Sequence, residues 1–227
     1  MKEVADIFGI STECGDYYRA ALTHPSYTKE NNLEYQECYE RLEFLGDAVL
    51  KLLVSDLLFE KYPDYTEGDM SKIRSVAVSD YTLAKIAKKI GLDELIIVGE
   101  HDKKLNVQKL ESVVACSFEA VLGAYYLDGK LAELTEFIKK VFPPYLVEIE
   151  ENYSKYNAKA ILQEYTQGLS KTIPVYRLAN TSGPAHNRVF TVEVSYNDEV
   201  VASGSGKTKK EAEQHAAYEA CKKLGAV

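Results

Sequence analysis
Residues 39–50 read Tyr39-Glu40-Arg41-Leu42-Glu43-Phe44-Leu45-Gly46-Asp47-Ala48-Val49-Leu50 (YERLEFLGDAVL). At about 100° per residue on a helix, Glu40, Glu43 and Asp47 fall within an arc of about 60°. Leu42, Leu45, Val49, Leu52 and Leu53 fall on the opposite side and are expected to face a core. Three carboxylates on one stripe repel one another, so the stripe asks for a bound cation or for pairing bases. A solvated acidic face, served by Arg41 and nearby lysines, meets the same spacing. Phe44 fits that reading poorly. It points near the carboxylates, where a large ring on a solvated face has nothing to pack on, and so suggests a second surface there, a partner subunit or another helix.

Outward from this stretch, residues 1–149 read mostly as helix. Apolar residues recur at three- and four-residue steps in Leu42 to Leu58, Tyr81 to Ile90, Glu111 to Leu127 and Leu131 to Phe142. Pro25, Pro63, Pro143 and Pro144 fall between these runs, where helices should break. Glu148 to Lys155 (EIEENYSK) is polar and lacks the periodicity of its neighbours. The expected organisation is an all-helical domain at 1–149, a linker at 150–155 and a second domain at 156–227.

The pattern changes after the junction. Ala158 to Gly168 reads as a helix, and Val175 to Ala179 and Val189 to Tyr196 as strands. Phe190, Val192, Val194 and Tyr196 alternate onto one face of the second strand. Asn197-Asp198 turns the chain into a third strand, Glu199 to Ser203, and a last helix spans Thr208 to Leu224. Ala212, Ala216 and Ala220 step by four along it, and small residues let a helix lie close on a sheet. The expected fold class is therefore a mainly α N-terminal domain followed by a small α+β (α-β-β-β-α) domain.

Gly204-Ser205-Gly206-Lys207-Thr208-Lys209-Lys210 leaves a strand and opens a helix. Its GKT invites a nucleotide-binding reading, but a P-loop needs a glycine five residues before Gly206, where Val201 stands, so no nucleotide cofactor is expected. A helix N-terminus edged by Lys207, Lys209 and Lys210 suits another phosphate, that of a nucleic-acid backbone. A solvated lysine cluster satisfies the same residues. With Leu162-Gln163-Glu164, the Gly183-Pro184-Ala185-His186 loop and the Lys209–Ala217 run, however, the segment 156–225 resembles a double-stranded RNA-binding domain. The resemblance implies that Gln163 and Glu164 face ribose hydroxyls in one minor groove and that His186 enters the next. Lys207, Lys209 and Lys210 would hold the phosphates between.

Charge is divided in the same sense. The chain carries a net −8, yet residues 1–154 hold 17 basic against 28 acidic side chains and residues 155–227 hold 10 against 7. An acidic body with a mildly basic end suits a protein that holds cations at one end and polyanions at the other. Cys14, Cys38, Cys116 and Cys221 form no CxxC pair, which argues against structural zinc and disulfides and for a reducing cytoplasm. Lys2, Glu3 and Asp6 argue against a signal peptide, and no apolar run is long enough to cross a membrane.

Two further segments bring carboxylates: Thr66-Glu67-Gly68-Asp69-Met70-Ser71 and Glu111-Ser112-Val113-Val114-Ala115-Cys116-Ser117-Phe118-Glu119-Ala120. The runs ERLEFLGD, EGDMSKIR and ESVVACSFEA, in this order and spacing, together with Ala21 to Tyr27 (ALTHPSY), resemble ribonuclease III. That resemblance implies a dimeric, all-helical endonuclease domain with Phe44 seated in the partner's apolar socket. It also implies hydrolysis of both strands of duplex RNA with Mg2+, leaving 5′-phosphates and short 3′ overhangs. By motif, Glu43, Asp47 and Glu119 belong to the metal cluster, with Asp47 and Glu119 catalytic, and Glu40 and Glu67 support the site or position RNA.

One position departs from the pattern. The family has an aspartate three residues before the last glutamate, and here Cys116 stands there. One turn from Glu119, Cys116 should face the site. A thiol is a soft ligand and Mg2+ prefers hard oxygen, so Mn2+ becomes a possible substitute. Cys116 fits a natural variant that keeps activity with water in the missing ligand's place, a natural loss of cleavage, or a deliberate substitution. The alternative function is accordingly a dimeric duplex-RNA-binding protein that does not cut. An acidic helical scaffold for protein partners explains neither the lysines nor the ERLEFLGD stripe. Tyr39, where the family often has asparagine, is a lesser departure.

Overall fold
In the computed structural model, which describes residues 2–184 and 188–227, the chain forms two units, Met1–Glu148 and Ile149–Val227. The first contains helices α1 Lys2–Phe8, α2 Gly15–Leu22, α3 Pro25–Glu30, α4 Glu40–Lys61, α5 Glu67–Ala77, α6 Asp80–Ile90, α7 Glu100–Lys104, α8 Glu111–Leu127 and α9 Leu131–Val141. Helix α10 (Pro143–Glu151) runs across the division, and α11 (Tyr153–Tyr156) follows it. The stretch expected as a linker is thus largely helical. Its polar sequence contains good helix formers, and a missing apolar stripe does not forbid a helix.

Local chemistry fixes several helix ends. Pro25 occupies the first turn of α3, and the His24 ring accepts from the Ser26 N–H. Thr66 and Asp69 cap each other's backbone N–H at the start of α5, a reciprocal capping box. Ser79 caps α6, which ends on Gly91 in the left-handed region at φ 83°.

Helix α8 is the axis of the first unit. Val114, Ala115, Phe118, Val121, Leu122 and Tyr125 are all buried, so it is apolar around most of its circumference. Burying a Phe or Leu side chain contributes about 1.5–3 kcal/mol, which makes this helix the principal apolar contribution to the unit. Helix α4 crosses it at two glycines. A Cβ on Gly46 would lie 1.8 Å from the Glu119 carbonyl oxygen, and one on Gly123 would lie 2.4 Å from that of Leu42. Leu42, Val49 and Leu53 are buried as expected, and Leu45 is partly buried. Leu52 departs from expectation: it is 60% exposed, on the same outer strip of α4 as Phe44 (83%) and Phe59 (73%). An apolar residue at the edge of a helical arc serves either side, and here it turns outward.

The second unit packs α12 (Ala158–Ser170) and α13 (Lys209–Leu224) on an antiparallel sheet of order β1-β2-β3, with β1 Val175–Ser182, β2 Val189–Tyr196 and β3 Glu199–Gly206. The outer two strands run three residues beyond the expected ends. Val192, Val194, Ala202, Ala212, Ala216 and Ala220 form its core with Leu162. Gly204 and Gly206 belong to this packing and to no phosphate loop. A Cβ at Gly204 would stand 2.1 Å from the Ala216 nitrogen, and one at Gly206 2.7 Å from that of Ala212. The His215 ring is hydrogen-bonded to the Ser205 carbonyl at 2.7 Å, tying α13 to β3.

Candidate active site and nucleic-acid interface
The Gly46–Gly123 crossing lets the α4 and α8 backbones touch, and this sets the acidic side chains of the two helices against each other. Glu43 and Asp47 come from α4, and Cys116 and Glu119 from α8. The Cys116 thiol donates a hydrogen bond to the Glu43 carboxylate. Burial pushes the Glu119 carboxyl up to about 8, the Asp47, Glu43 and Asp80 carboxylates push the same way, and Lys51 opposes them. Burial also holds Glu43 above the ordinary carboxylate value, reinforced by Glu40, Asp80 and Asp47 and opposed by the Cys116 bond. Burial and the charges of Glu43 and Glu119 push Cys116 far up, so its thiol stays protonated at neutral pH.

Glu40 sits at the margin of this cluster, where Tyr35 and the Cys38 thiol donate to it. Glu67 stands at the exposed start of α5, where it accepts a 2.7 Å hydrogen bond from the Ser71 hydroxyl. Asp80, the first residue of α6, does act on the cluster, and sequence reasoning missed it. In the chain it reads only as an acidic helix start after the Ser79 cap, and its proximity arises from the packing of α6 on α8. Lys51 pairs with Asp47 at 2.8 Å one turn along the same helix, as a lysine near the acidic stripe is expected to do.

Among the described residues, no group of three or more His, Cys, Asp or Glu side chains stands ready to hold a metal ion. Two members of the cluster are already engaged, Asp47 with Lys51 and Glu43 with Cys116. The donor chemistry nevertheless fits a hard divalent cation. Glu43, Asp47 and Glu119 offer carboxylate oxygens, and the raised Glu119 marks a surplus of negative charge that a cation relieves. Cys116 is the member that does not fit such an ion.

Phe44 lies beside a groove whose lining includes Tyr17, Arg19, Leu33, Tyr35, Arg41 and Leu127. In the second unit, Gln163 and Glu164 are exposed on α12, and Lys207, Lys209 and Lys210 are exposed around the start of α13. The end of α13 is less open than an uncapped terminus. Thr208 accepts from the Glu211 N–H at 3.1 Å, and the Glu211 carboxylate takes the Lys207 N–H at 2.7 Å. His186 lies outside the described residues.

An all-helical unit with a carboxylate cluster, followed by an α-β-β-β-α unit with a lysine-edged helix, defines the class of nucleases directed at duplex RNA. A family model for ribonuclease-III-like proteins matches residues 16–146, and one for the double-stranded RNA binding motif matches residues 158–224. The chain is 44% identical over 209 residues to ribonuclease 3 of Staphylococcus haemolyticus, covering 92% of this chain and 85% of that one. It is 42% identical to ribonuclease 3 of Staphylococcus aureus, covering 92% and 86%. The nuclease domain of ribonuclease III from Campylobacter jejuni, described for flexibility in its dimer-forming region, matches with 31% identity and a TM-score of 0.56, over 63% of this chain and 98% of that one. The chain belongs to the ribonuclease III family of endoribonucleases. Among the described residues no helix is long and apolar enough to cross a membrane.

Proposed function
We propose that this chain is a cytoplasmic, homodimeric, Mg2+-dependent endonuclease that cuts both strands of structured precursor or regulatory RNA, leaving 5′-phosphates and short 3′ overhangs. The observation that carries the reading is the meeting of Glu43 and Asp47 with Glu119 at the glycine crossing of α4 and α8, in a chain that also holds a duplex-binding domain. Glu43, Asp47 and Glu119 would hold the metal, which when bound supplies an activated water and charge stabilisation for the leaving oxygen. Glu40 and Glu67 would position RNA near the cut. In the second domain, Gln163 and Glu164 would face ribose hydroxyls in one minor groove, His186 would enter the next, and Lys207, Lys209 and Lys210 would hold the phosphates between, which reads A-form shape over sequence.

The exposed strip of Phe44, Leu52 and Phe59 supports the homodimer, with Phe44 entering the partner's groove. Two centres would then face the two strands. The test is end mapping on a long duplex. Products with 5′-phosphates and staggered ends, formed in Mg2+ and absent in chelator, are expected; cleavage unaffected by chelator counts against the reading.

Cys116 favours a second reading, a duplex-binding protein that does not cut. Its thiol is protonated and bonded to Glu43, so it offers Mg2+ no hard donor. Mn2+, a softer ion, is expected to recover part of the rate; a rate unchanged on replacing Mg2+ with Mn2+ argues otherwise.

A further inference from the structure
Lys51 belongs to none of the motifs above. It follows Asp47 by one turn of α4, with its ammonium 2.8 Å from Asp47 Oδ2 and its side chain half exposed. It also acts on Glu119, against the carboxylates that crowd it. A cation belonging to the chain itself therefore lies over the acidic centre and keeps access to solvent. A phosphodiester brought up to Glu43, Asp47 and Glu119 meets like charge, and this ammonium is placed to offset it.

We propose that Lys51 is a positioning residue of the hydrolytic centre: in the free protein its ammonium occupies Asp47 in place of an external cation, and on arrival of the duplex it passes to a phosphate oxygen. This rests on the hydrolytic reading given above. The chemistry suits lysine, a compact charge on a flexible four-carbon stem that can move between neighbouring oxygens. Exposed ion pairs are weak, so leaving Asp47 costs little.

The test compares the full chain with Lys51→Gln and Lys51→Arg, each also made in a Cys116→Asp background. Mn2+ binding is read by electron paramagnetic resonance without RNA, and single-turnover cleavage is read at saturating duplex in Mg2+. Lys51→Gln is expected to bind Mn2+ about threefold more tightly, because its competitor for Asp47 is gone. It should cut about 10- to 100-fold more slowly, as on loss of a preorganised charge contact. Lys51→Arg should match the parent in Mn2+ affinity and stay within about threefold of it in cleavage, since it keeps the charge. Unchanged Mn2+ affinity in Lys51→Gln overturns the exchange on Asp47, and unchanged cleavage overturns the phosphate contact. If only the Cys116→Asp background cuts, the comparison there decides. If neither background cuts, the hydrolytic reading and the phosphate contact fall together, and the Mn2+ titration still judges the hold on Asp47.

Discussion

Glu119 carries a partly buried carboxyl crowded by the carboxylates of Asp47, Glu43 and Asp80. Its carboxyl is raised to about 8, above the 4.5 of an unperturbed glutamate, chiefly by burial. A group raised on folding contributes stability that is complete below its unfolded value and lost as pH rises through its folded one. Metal-free protein is therefore expected to lose stability between about pH 5 and pH 9, and Glu119→Gln to flatten that loss and be roughly 2 kcal/mol more stable at the alkaline end. Denaturant titrations in chelator check this; identical pH profiles for the two proteins contradict it. If Glu119 holds the proposed metal, binding displaces its proton, so Mn2+ affinity is expected to rise with pH up to about 8 and level off above it, measured by calorimetry. Helical spacing made Glu43, Asp47 and the site-facing Cys116 legible in the sequence. Asp80 was not, because it acquires its meaning from the packing of α6 on α8 and not from a periodic pattern.

Between elements, the deciding contact is backbone on backbone. Gly46→Ala puts a methyl 1.8 Å from the Glu119 carbonyl oxygen, and no side-chain rotation relieves that. The α4–α8 crossing must open, at an expected cost of about 2–4 kcal/mol by thermal denaturation, with Glu43 and Asp47 drawn away from Glu119. A variant as stable as the parent would show that the crossing does not need its glycine. The helix runs from Leu42 to Leu127 were readable because amphipathic periodicity reports a buried face. Leu52 was misread because an apolar arc does not distinguish the chain's own core from a surface awaiting another chain. The glycines gave no periodic signal at all: Gly46 and Gly123 declare their purpose only once the helices cross, as Gly204 does against α13.

For the whole molecule, two surfaces and one centre have to act together. Phe44→Glu places a charge where an exposed ring should enter a partner, and is expected to weaken self-association by at least about 30-fold, the effect of a hot-spot residue. Sedimentation velocity checks it, and an unchanged dimer fraction counts against the Phe44 strip. Replacing Lys207, Lys209 and Lys210 with glutamine should lower the slope of log affinity for duplex RNA against log salt by about 2–3, as lost phosphate contacts require. A slope that does not move places the grip elsewhere. The opposite charges of the two parts of the chain were legible from composition, but the two helices that meet at Asn152 within residues 150–155 were not. The most direct measurement is single-turnover cleavage of a long duplex RNA in Mg2+ by this chain, Cys116→Asp and Glu119→Gln. Cys116→Asp is expected to cut fastest, by roughly a thousandfold over this chain, and Glu119→Gln not to cut. Cleavage by Glu119→Gln at the rate of Cys116→Asp would contradict the claim that the carboxylates of α4 and α8 are the hydrolytic centre.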